Sequence, residues 1–310
     1  MLFDRYGRPF QKLRYVVNDE CNYNCVFCHF EGQLRRQGSY LTAEDYGFVS
    51  SFFKSLGVAD FKITGGEPLL RRDIDLIVAN VAKTGAYVTV TTNGYLLRGW
   101  VDRLRKAGVA RLNVSVHTTD PEKYAKITNT SPAVFREVMR GLAEARDRGL
   151  ALKLNVVVLR DINTDRQSVK ELVKLAARLG ASLQFIELMP TGSGTKIFDN
   201  LYEPIESIVE IITQLGGRPI GVRRELHNRP LYLVGGVVVE LIKNFNNSHF
   251  CAGCTTMRLT SDGKLKTCIY ADDAVDLLPY IKSRDVEGLL YSVRLALAKR
   301  QPKFKFYSSS

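Results

Sequence analysis

The sequence predicts an α/β fold, a partial (β/α)6 barrel followed by a smaller C-terminal subdomain. Between residues 13 and 190, short runs rich in β-branched and aromatic residues alternate with helical patterns of apolar residues. Such alternation is typical of a parallel sheet with right-handed helical crossovers, and six units are enough for part of a barrel. After residue 190 the alternation stops, so we predict one domain over residues 1–195 and a second over residues 196–310.

Each predicted strand is a short apolar run bounded by turn residues. The helix after the first strand begins after Thr42 and ends at Gly57, and two later helices end at Gly149 and Gly180. In barrels of this kind, the loops after the carboxyl ends of the strands carry the chemistry. The six strands are predicted at residues 13–17, 61–64, 87–91, 112–116, 152–159 and 183–188, and a helix of the second domain at residues 205–215.

Composition and charge exclude several protein classes. With 45% apolar and 25% charged residues, the 310-residue chain can form a core without disulfides and is neither fibrous nor disordered. It has no run of about 18 apolar residues, and charged Asp4, Arg5 and Arg8 stand where a secretory segment would be apolar. We therefore expect a cytoplasmic protein without a membrane partner. The net charge of +12 favours an anionic partner, but no basic stripe interleaved with aromatic residues indicates nucleic acid.

Six cysteines form two triplets at opposite ends of the chain, with none in the 222 residues between them. Disulfides are rare in the cytoplasm, so tight triplets indicate metal or cluster ligands. The first triplet, Cys21, Cys25 and Cys28, has the spacing C-x3-C-x2-C on the loop after the first strand. Three thiolates leave one iron of a four-iron cluster without a protein ligand and open to a small molecule. The alternative is a zinc site completed by His29, although structural zinc sites use other spacings.

The first triplet resembles the cysteine motif of the radical S-adenosylmethionine (SAM) superfamily, and the sequence GGEP at residues 65–68 resembles a second motif of that superfamily. The resemblance implies a radical SAM barrel. It also implies a 4Fe-4S cluster whose open iron binds SAM, passes it one electron and releases methionine and a 5′-deoxyadenosyl radical. The implied SAM contacts lie near the strand ends, at Phe27, Gly65, Gly66, Glu67, Thr92, Asn93, Ser115 and Met189.

The second triplet is Cys251, Cys254 and Cys268, with 13 residues between the last two. Here a zinc site with His249 as the fourth ligand is a stronger alternative. However, the segment 258–268 resembles the C-terminal signature of the GTP 3′,8-cyclases, the molybdenum cofactor biosynthesis protein A family, and the resemblance extends over about residues 4–270. It implies a second 4Fe-4S cluster on these cysteines, with its free iron facing the substrate purine, so that both clusters face one cavity.

The family resemblance implies a reaction and its partners. The radical removes the ribose 3′-hydrogen of GTP, and the resulting carbon radical adds to C8 of guanine in the first step of molybdenum cofactor biosynthesis. An electron donor and the downstream cyclic pyranopterin monophosphate synthase are implied partners, and either a monomer or a homodimer fits the sequence. A triphosphate needs fixed cations, and the planar fork of arginine suits phosphate oxygens. The family positions that supply such cations are Arg14, Lys62, Lys153 and Arg258.

Several positions depart from the family pattern. Gln184 and Thr256 occupy positions where the family usually has arginine, and His117 stands where an aspartate is common. The chain ends in FYSSS at residues 306–310 and lacks the glycine pair that closes typical members. These differences concern the substrate and turnover rather than the cleavage of SAM.

The departures leave alternatives open. Two arginines fewer are compatible with weaker triphosphate binding, with compensation by Lys264 or Lys266, or with a paralogous radical SAM enzyme whose auxiliary cluster serves another nucleotide or a peptide. A hypothesis from a different class is a zinc- or cluster-bearing nucleic-acid-binding protein that uses its net charge on phosphates. That hypothesis predicts bound zinc and no cleavage of SAM.

Overall fold

The computed structural model describes residues 1–32, 41–223, 228–245, 247–271 and 273–301, and its named strands belong to one sheet. The strands are β1 (Lys12–Val16), β2 (Asp60–Thr64), β3 (Tyr87–Thr92), β4 (Arg111–Ser115), β5 (Leu152–Val158), β6 (Ser182–Glu187), β7 (Arg218–Arg223), β8 (Arg229–Val234), β9 (Val237–Ile242), β10 (Thr256–Leu259), β11 (Lys264–Lys266) and β12 (Ala274–Asp276). The helices are α1 (Ala43–Ser55), α2 (Ile74–Ala82), α3 (Val101–Lys106), α4 (Pro121–Thr128), α5 (Pro132–Asp147), α6 (Arg166–Arg178), α7 (Phe198–Leu201), α8 (Ile205–Gln214), α9 (Ser248–Ala252), α10 (Leu278–Ser283) and α11 (Val286–Lys299).

The six strands β1 to β6 pair in sequence order and in parallel, which confirms the predicted α/β barrel fold. Each crossover between them carries at least one helix, as parallel pairing requires. The predicted strand bounds agree with the structure to within one residue at each end; β5, for example, ends at Val158 rather than at residue 159. The short apolar runs and the helical patterns therefore located this part of the fold from local sequence alone.

Capping residues explain the helix bounds. The hydroxyl of Thr42 accepts a hydrogen bond from the N–H of Asp45 at 3.3 Å, and the Asp45 carboxylate accepts one from the N–H of Thr42 at 2.9 Å. This reciprocal capping box begins α1. The chain leaves α1 through Gly57, whose φ of +95° lies in the left-handed region that favours glycine.

The chain after residue 195 extends the same sheet at both edges. Strand β10 pairs in parallel with β1, and β9 pairs in parallel with β6. The β7–β8 hairpin continues beyond β9, and β11 and β12 continue beyond β10, all in antiparallel pairing. The C-terminal segment therefore covers both edges of the barrel strands and brings its own side chains to them. A division into two domains at residue 195 stays a prediction.

A small apolar group packs beneath the first cysteine loop, apart from the main core. Its fully buried members are Ile127, Leu159 and Leu188, and Val26 and Phe27 of the cysteine loop pack against them. Apolar packing thus supports the loop from below. Within the described ranges, the structure contains no helix that is both long and apolar enough to cross a bilayer.

Candidate active site

The first triplet lies on the loop after β1, where burial and neighbouring thiols affect the ionisation of its cysteines. Burial raises the pKa of all three thiols, and the other thiols raise the pKa of Cys25 and Cys28 further, for Cys28 to about 11. The N–H groups of Tyr23 and Phe30 donate to the sulfurs of Cys21 and Cys28, each at 3.4 Å. Donors directed at sulfur are typical of cluster ligands. The three residues therefore fit an iron–sulfur cluster, which would take them as thiolates.

Backbone contacts fix this loop to two neighbouring segments. The N–H groups of Asn24 and Val26 donate to the last two carbonyls of α4, at 3.3 and 3.0 Å. From the segment after β6, the N–H of Ser193 donates to the carbonyl of Cys28 at 2.8 Å. A Cβ on neighbouring Gly192 would lie 2.3 Å from that same carbonyl oxygen. The loop is therefore held by close backbone approach rather than by side-chain charge.

The two glycines of the GGEP sequence make another close approach to the loop. A Cβ on Gly65 would lie 2.1 Å from the side-chain oxygen of Asn18, and one on Gly66 would lie 2.1 Å from the carbonyl oxygen of Glu20. The N–H of Gly66 donates to the carbonyl of Asn18 at 2.9 Å, and that of Glu67 to the carbonyl of Glu20 at 2.7 Å. The need for glycine here follows from packing against the chain that leads into the first triplet.

The Glu67 side chain joins the loops after β2 and β3. Its carboxylate accepts hydrogen bonds from the Thr92 hydroxyl at 2.7 Å, the Asn93 N–H at 2.7 Å and the Leu69 N–H at 3.0 Å. Burial raises the pKa of Glu67 to about 7, against the opposing effect of these three donors. The Asn93 amide in turn donates to the side-chain oxygen of Asn22, inside the cysteine loop, at 2.8 Å.

The remaining predicted SAM contacts lie around the same loop. The Phe27 ring meets the His117 ring edge to face, with centroids 4.5 Å apart. The N–H of Val157 donates to Nδ1 of His117 at 3.1 Å, and burial lowers the pKa of His117 to about 3, so its imidazole is neutral. Ser115 ends β4 and Met189 follows β6, both half-buried.

Buried charged residues hold the second triplet in place. Arg8 donates to the carbonyl of Cys251 at 2.8 Å, and Arg300 donates to the carbonyl of Cys254 at 2.6 Å. The Asp4 carboxylate lies between these two guanidinium groups, 2.8 Å from Arg8 and 3.4 Å from Arg300. All three side chains are almost completely buried, so the pairing is strongly constrained. Sequence reasoning missed this arrangement, because its members lie almost 300 residues apart.

A cavity of about 170 Å³ lies beside the second triplet. Cys251, Cys254 and Cys268 all line it, and Gln184 and Thr256, the two departures from the family pattern, line it too. The first triplet is not among the described lining residues, so the expectation that both triplets face one cavity holds for the second triplet alone. The basic lining residues are Arg8, Lys12, Arg14, Lys62, Arg111, Lys153, Arg223, Arg229 and Arg258.

The cavity carries an excess of positive charge. Four carboxylates of described residues pair with seven of the nine basic residues, so the basic groups outnumber their carboxylate partners. The amino group of Lys62 makes no hydrogen bond or ion pair with any described residue, and burial lowers its pKa. A concave surface with such an excess attracts anions. The four carboxylates belong to Asp4, Glu31, Asp60 and Glu240.

Glu31 connects the cysteine loop to this cavity. Its carboxylate accepts two hydrogen bonds from Arg14, at 2.8 and 2.9 Å, and lies 3.5 Å from Nε of Arg258. Burial alone would raise its pKa, but the two arginines and His29 lower the pKa of Glu31 below its ordinary value. Glu31 was not a predicted site residue. Only its position three residues after Cys28 could have indicated a role.

Glu240 organises the opposite wall of the cavity. It accepts hydrogen bonds from Lys153 and, at 2.9 Å, from Arg229, and it lies 3.7 Å from Arg223. Although burial opposes ionisation, Lys153 and Arg229 lower the pKa of Glu240 to about 2. Burial also lowers the pKa of Lys153, to about 8, against the effect of Glu240. A single carboxylate therefore holds three cations together.

Comparison with known proteins decides the family. A family model described as "Radical SAM superfamily" matches residues 15–180, and one described as "Molybdenum Cofactor Synthesis C" matches residues 181–306. A Pyrobaculum aerophilum protein named "Probable GTP 3′,8-cyclase" is 78% identical over the full length of both chains. A Metallosphaera sedula protein of the same name is 35% identical and aligns over 98% of this chain and 97% of its own. This chain belongs to the GTP 3′,8-cyclase family.

Solved structures support the fold of this GTP 3′,8-cyclase family member. A crystal structure of Streptococcus suis SuiB bound to S-adenosylmethionine superposes with a TM-score of 0.68, covering 93% of this chain and 68% of that one. At 18% identity, this likeness concerns the fold alone. Membership of the radical SAM superfamily implies a 4Fe-4S cluster and SAM as cofactors.

The described part of the structure gives no support to a single zinc ion at either cysteine triplet. Within the described ranges, no three His, Cys, Asp or Glu side chains converge as a single metal ion requires. Nδ1 of His29 already accepts a hydrogen bond from the N–H of Glu31 at 3.0 Å.

Two further expectations concern the departures from the cyclase pattern. Lys264 pairs with Asp262 at 2.6 Å, and neither Lys264 nor Lys266 is among the residues that line the cavity. Lys266 pairs in register with Arg258, which does line the cavity, and compensation by either lysine stays one of the open alternatives. The chain end at residues 306–310 lies outside the described residues.

Proposed function

We propose that this chain converts GTP to 3′,8-cyclo-7,8-dihydro-GTP in the first step of molybdenum cofactor biosynthesis. The observation that carries the proposal is one cavity in which the cysteines of the second triplet meet a strongly basic lining. The names of the relatives at 78% and 35% identity support the same activity. The cytoplasm is the expected location of an enzyme that uses a free nucleotide.

The first triplet is proposed to hold the cluster that activates SAM. When bound to Cys21, Cys25 and Cys28, that cluster supplies the electron that splits SAM into methionine and a 5′-deoxyadenosyl radical. The chain's own contribution is to fix the surrounding loops. Glu67 holds the turn after β3 against the turn after β2, and Asn93 reaches from there to the cysteine loop. The SAM contacts proposed here are those that the sequence predicts, on these same loops.

The second triplet is proposed to hold another 4Fe-4S cluster beside the guanine base. Cys251, Cys254 and Cys268 contribute three thiolates, which leave one iron open for the substrate. The triphosphate is proposed to lie on Arg14, Lys62, Lys153 and Arg258, which line the same cavity. Lys62 gains most from such a ligand, because it has no ion pair with a described residue. Fixed cations in a partly buried cavity bind phosphate strongly and orient the ribose.

The reaction class implies two partners. An electron donor must reduce the first cluster, and an enzyme that rearranges the cyclised nucleotide, the cyclic pyranopterin monophosphate synthase, must consume the product. The electron donor and the downstream synthase are proposed partners, and both follow from the reaction assigned to the family.

Isotope transfer tests the proposed function. The full-length chain is reconstituted anaerobically with iron and sulfide, reduced with dithionite, and supplied with SAM and GTP deuterated at the ribose 3′ position. We expect about eight iron atoms per chain, one deuterium in the 5′-deoxyadenosine product, and a cyclised nucleotide in the mass spectrum. GTP deuterated at the 2′ position is the matched control, and it should transfer no label.

Other outcomes separate the alternatives. SAM cleavage without any GTP-derived product would contradict the proposal and favour a paralogous enzyme with another nucleotide or a peptide as substrate. Bound zinc, salt-sensitive binding to RNA or DNA and no SAM cleavage would favour the nucleic-acid-binding hypothesis.

A further inference from the structure

The cavity lacks an arginine at Gln184, where the family usually has one, yet a guanidinium lies close to that position. Gln184 on β6 pairs in register with Glu240 on β9. Arg229, the first residue of β8, donates to the Glu240 carboxylate at 2.9 Å. Glu240, one strand away from Gln184, therefore binds Arg229, which lies on the next strand along the sheet.

The environment of Arg229 fits a ligand-binding cation rather than a surface charge. Its side chain is 15% exposed, and it lines the same cavity as Lys153 and Gln184. Glu240 engages only one of its terminal nitrogens, and its Nε has no hydrogen-bond partner in the described part of the chain. A buried guanidinium with an unused donor needs an acceptor. Phosphate oxygens supply acceptors in the planar arrangement that guanidinium prefers.

We propose that Arg229 binds the triphosphate of the substrate and replaces the arginine missing at Gln184, with Glu240 as the residue that positions Arg229 beside Lys153. The inference rests on the proposed function, because it assigns a contact within the same substrate site. It places a substrate-binding residue on the β7–β8 hairpin, whereas the predicted contacts lie on β1, β2, β5 and β10.

Other cations in the cavity fit this role less well. Arg111 donates through its Nε to the side chain of Asn113 at 3.2 Å and makes no hydrogen bond or ion pair with Glu240 in the described part of the chain. Arg223 lies 3.7 Å from Glu240 and is more exposed than Arg229, at 27% against 15%. Arg229 combines burial, a fixed partner and a free donor at the position where the family cation is missing.

The first test is Arg229→Gln in the anaerobically reconstituted full-length chain. Glu240 keeps Lys153 and Arg223 as partners in this variant, so we expect it to fold. Equilibrium dialysis measures the dissociation constants of GTP and guanosine. We expect GTP to bind about tenfold to a hundredfold more weakly, because a charge-assisted contact is lost. Guanosine, which has no phosphate, should bind as it does to the unmodified chain.

The matched control is Arg218→Gln, which removes the same charge from the same hairpin. Arg218 is exposed and is not among the residues that line the cavity. We expect the affinity for GTP to change less than twofold. An equal loss of affinity in both variants would overturn the proposal, because it would show a general effect of net charge.

The second test moves the charge back to the family position. In the double variant Gln184→Arg with Arg229→Gln, an arginine faces the cavity from β6 beside Glu240, and we expect at least half of the lost binding free energy to return. The role of Arg229 is overturned if Arg229→Gln binds GTP as tightly as the unmodified chain, or if it loses equal affinity for GTP and for guanosine. In either case the proposed function is unaffected as long as the unmodified chain binds GTP. If the unmodified chain binds no GTP at all, the proposed function fails first.

Discussion

The two cysteine triplets are held in the protein by opposite means. The first sits on a loop fixed by backbone hydrogen bonds, at places where glycines permit chains to approach closely. In the second, the carbonyls of Cys251 and Cys254 accept hydrogen bonds from two buried arginines, which share one aspartate. The first site therefore depends on glycines, which have no side chain where the backbones approach closely. The second depends on buried charged side chains.

This difference follows from where each triplet lies in the fold. The first follows β1, and its supports come from the adjacent strand ends, which the parallel sheet places side by side. The second lies outside the repeated β/α units, in short elements that offer few regular contacts. Its supports come instead from the beginning of the chain, Asp4 and Arg8, and from Arg300 just past the last helix. Regular strand ends therefore hold the first triplet in position through backbone hydrogen bonds. The irregular C-terminal elements hold the second triplet through buried charged side chains.

The largest effect is expected from Gly66→Ala. The new methyl group would lie 2.1 Å from the carbonyl oxygen of Glu20 and push the cysteine loop away from β2. We expect loss of roughly half of the bound iron and a fall of about a hundredfold or more in the rate of SAM cleavage. Iron analysis and product assays measure both quantities.

The control for Gly66→Ala is Gly99→Ala, at which no atom lies within 4 Å of the added Cβ. It should retain the iron content and the SAM cleavage rate of the unmodified chain. Full activity in Gly66→Ala would show that the loop tolerates displacement, and the contrast between the two triplets would lose its basis.

A smaller and more selective effect is expected from Arg300→Met. The substitution leaves the carbonyl of Cys254 without its donor and Asp4 with Arg8 as its remaining ion-pair partner among the described residues. We expect a loss of about 2 kcal/mol in the free energy of unfolding and a drop from about eight to about four iron atoms per chain. The first cluster should remain visible by electron paramagnetic resonance.

The exposed Arg294, on helix α11 that ends just before Arg300, provides the control variant Arg294→Gln. It should keep both clusters. If Arg300→Met lost the first cluster as readily as the second, the two sites would not be supported independently.

The smallest effect is expected in the stability of the folded chain at low pH, and it comes from His117, beside the first triplet. Burial lowers the pKa of His117 to about 3 in the folded chain, against an ordinary value of 6.5. Between these values the unfolded chain binds a proton that the folded chain does not, so the stability that His117 contributes is lost as the pH falls below about 6.5. Asn in this position can still accept from the Val157 N–H but does not titrate.

We therefore expect the unmodified chain to lose stability relative to His117→Asn by about 1 kcal/mol per pH unit below pH 6.5. Denaturant unfolding of both proteins at matched iron content, from about pH 7.5 to about pH 5.5, measures the difference. A pH-independent difference would mean that the pKa of His117 is the same in the folded and the unfolded chain.

The barrel strands and their loops could be predicted from the sequence because their signals are local. Short apolar runs located β1 to β6, and the GGEP sequence and the first cysteine triplet each lie within a single loop. For the same reason, the sequence alone showed that Gln184 and Thr256 stand where the family usually has arginine. Each of these signals depends on residues within a few positions of one another.

The partners that complete the site could not be predicted, because they depend on pairings across the whole chain. Glu31 meets Arg258 across 227 positions, and Arg229 reaches the cavity only because β8 and β9 continue the sheet beyond β6. Lys264 and Lys266 were plausible substitutes by proximity in sequence to Cys268. The described lining of the cavity includes neither lysine, but it does include Arg223 and Arg229, on a hairpin more than 30 residues upstream.

The covering of both sheet edges by the C-terminal segment has a consequence for biosynthesis. A ribosome releases β1 to β6 first, and until β9 and β10 emerge, the outer backbone groups of β1 and β6 have no strand beside them. Bare edges of this kind recruit other nascent chains. We expect the newly made polypeptide to be most prone to aggregate when translation pauses between residues 190 and 237, a window in which the first cysteine loop is complete and the second does not yet exist.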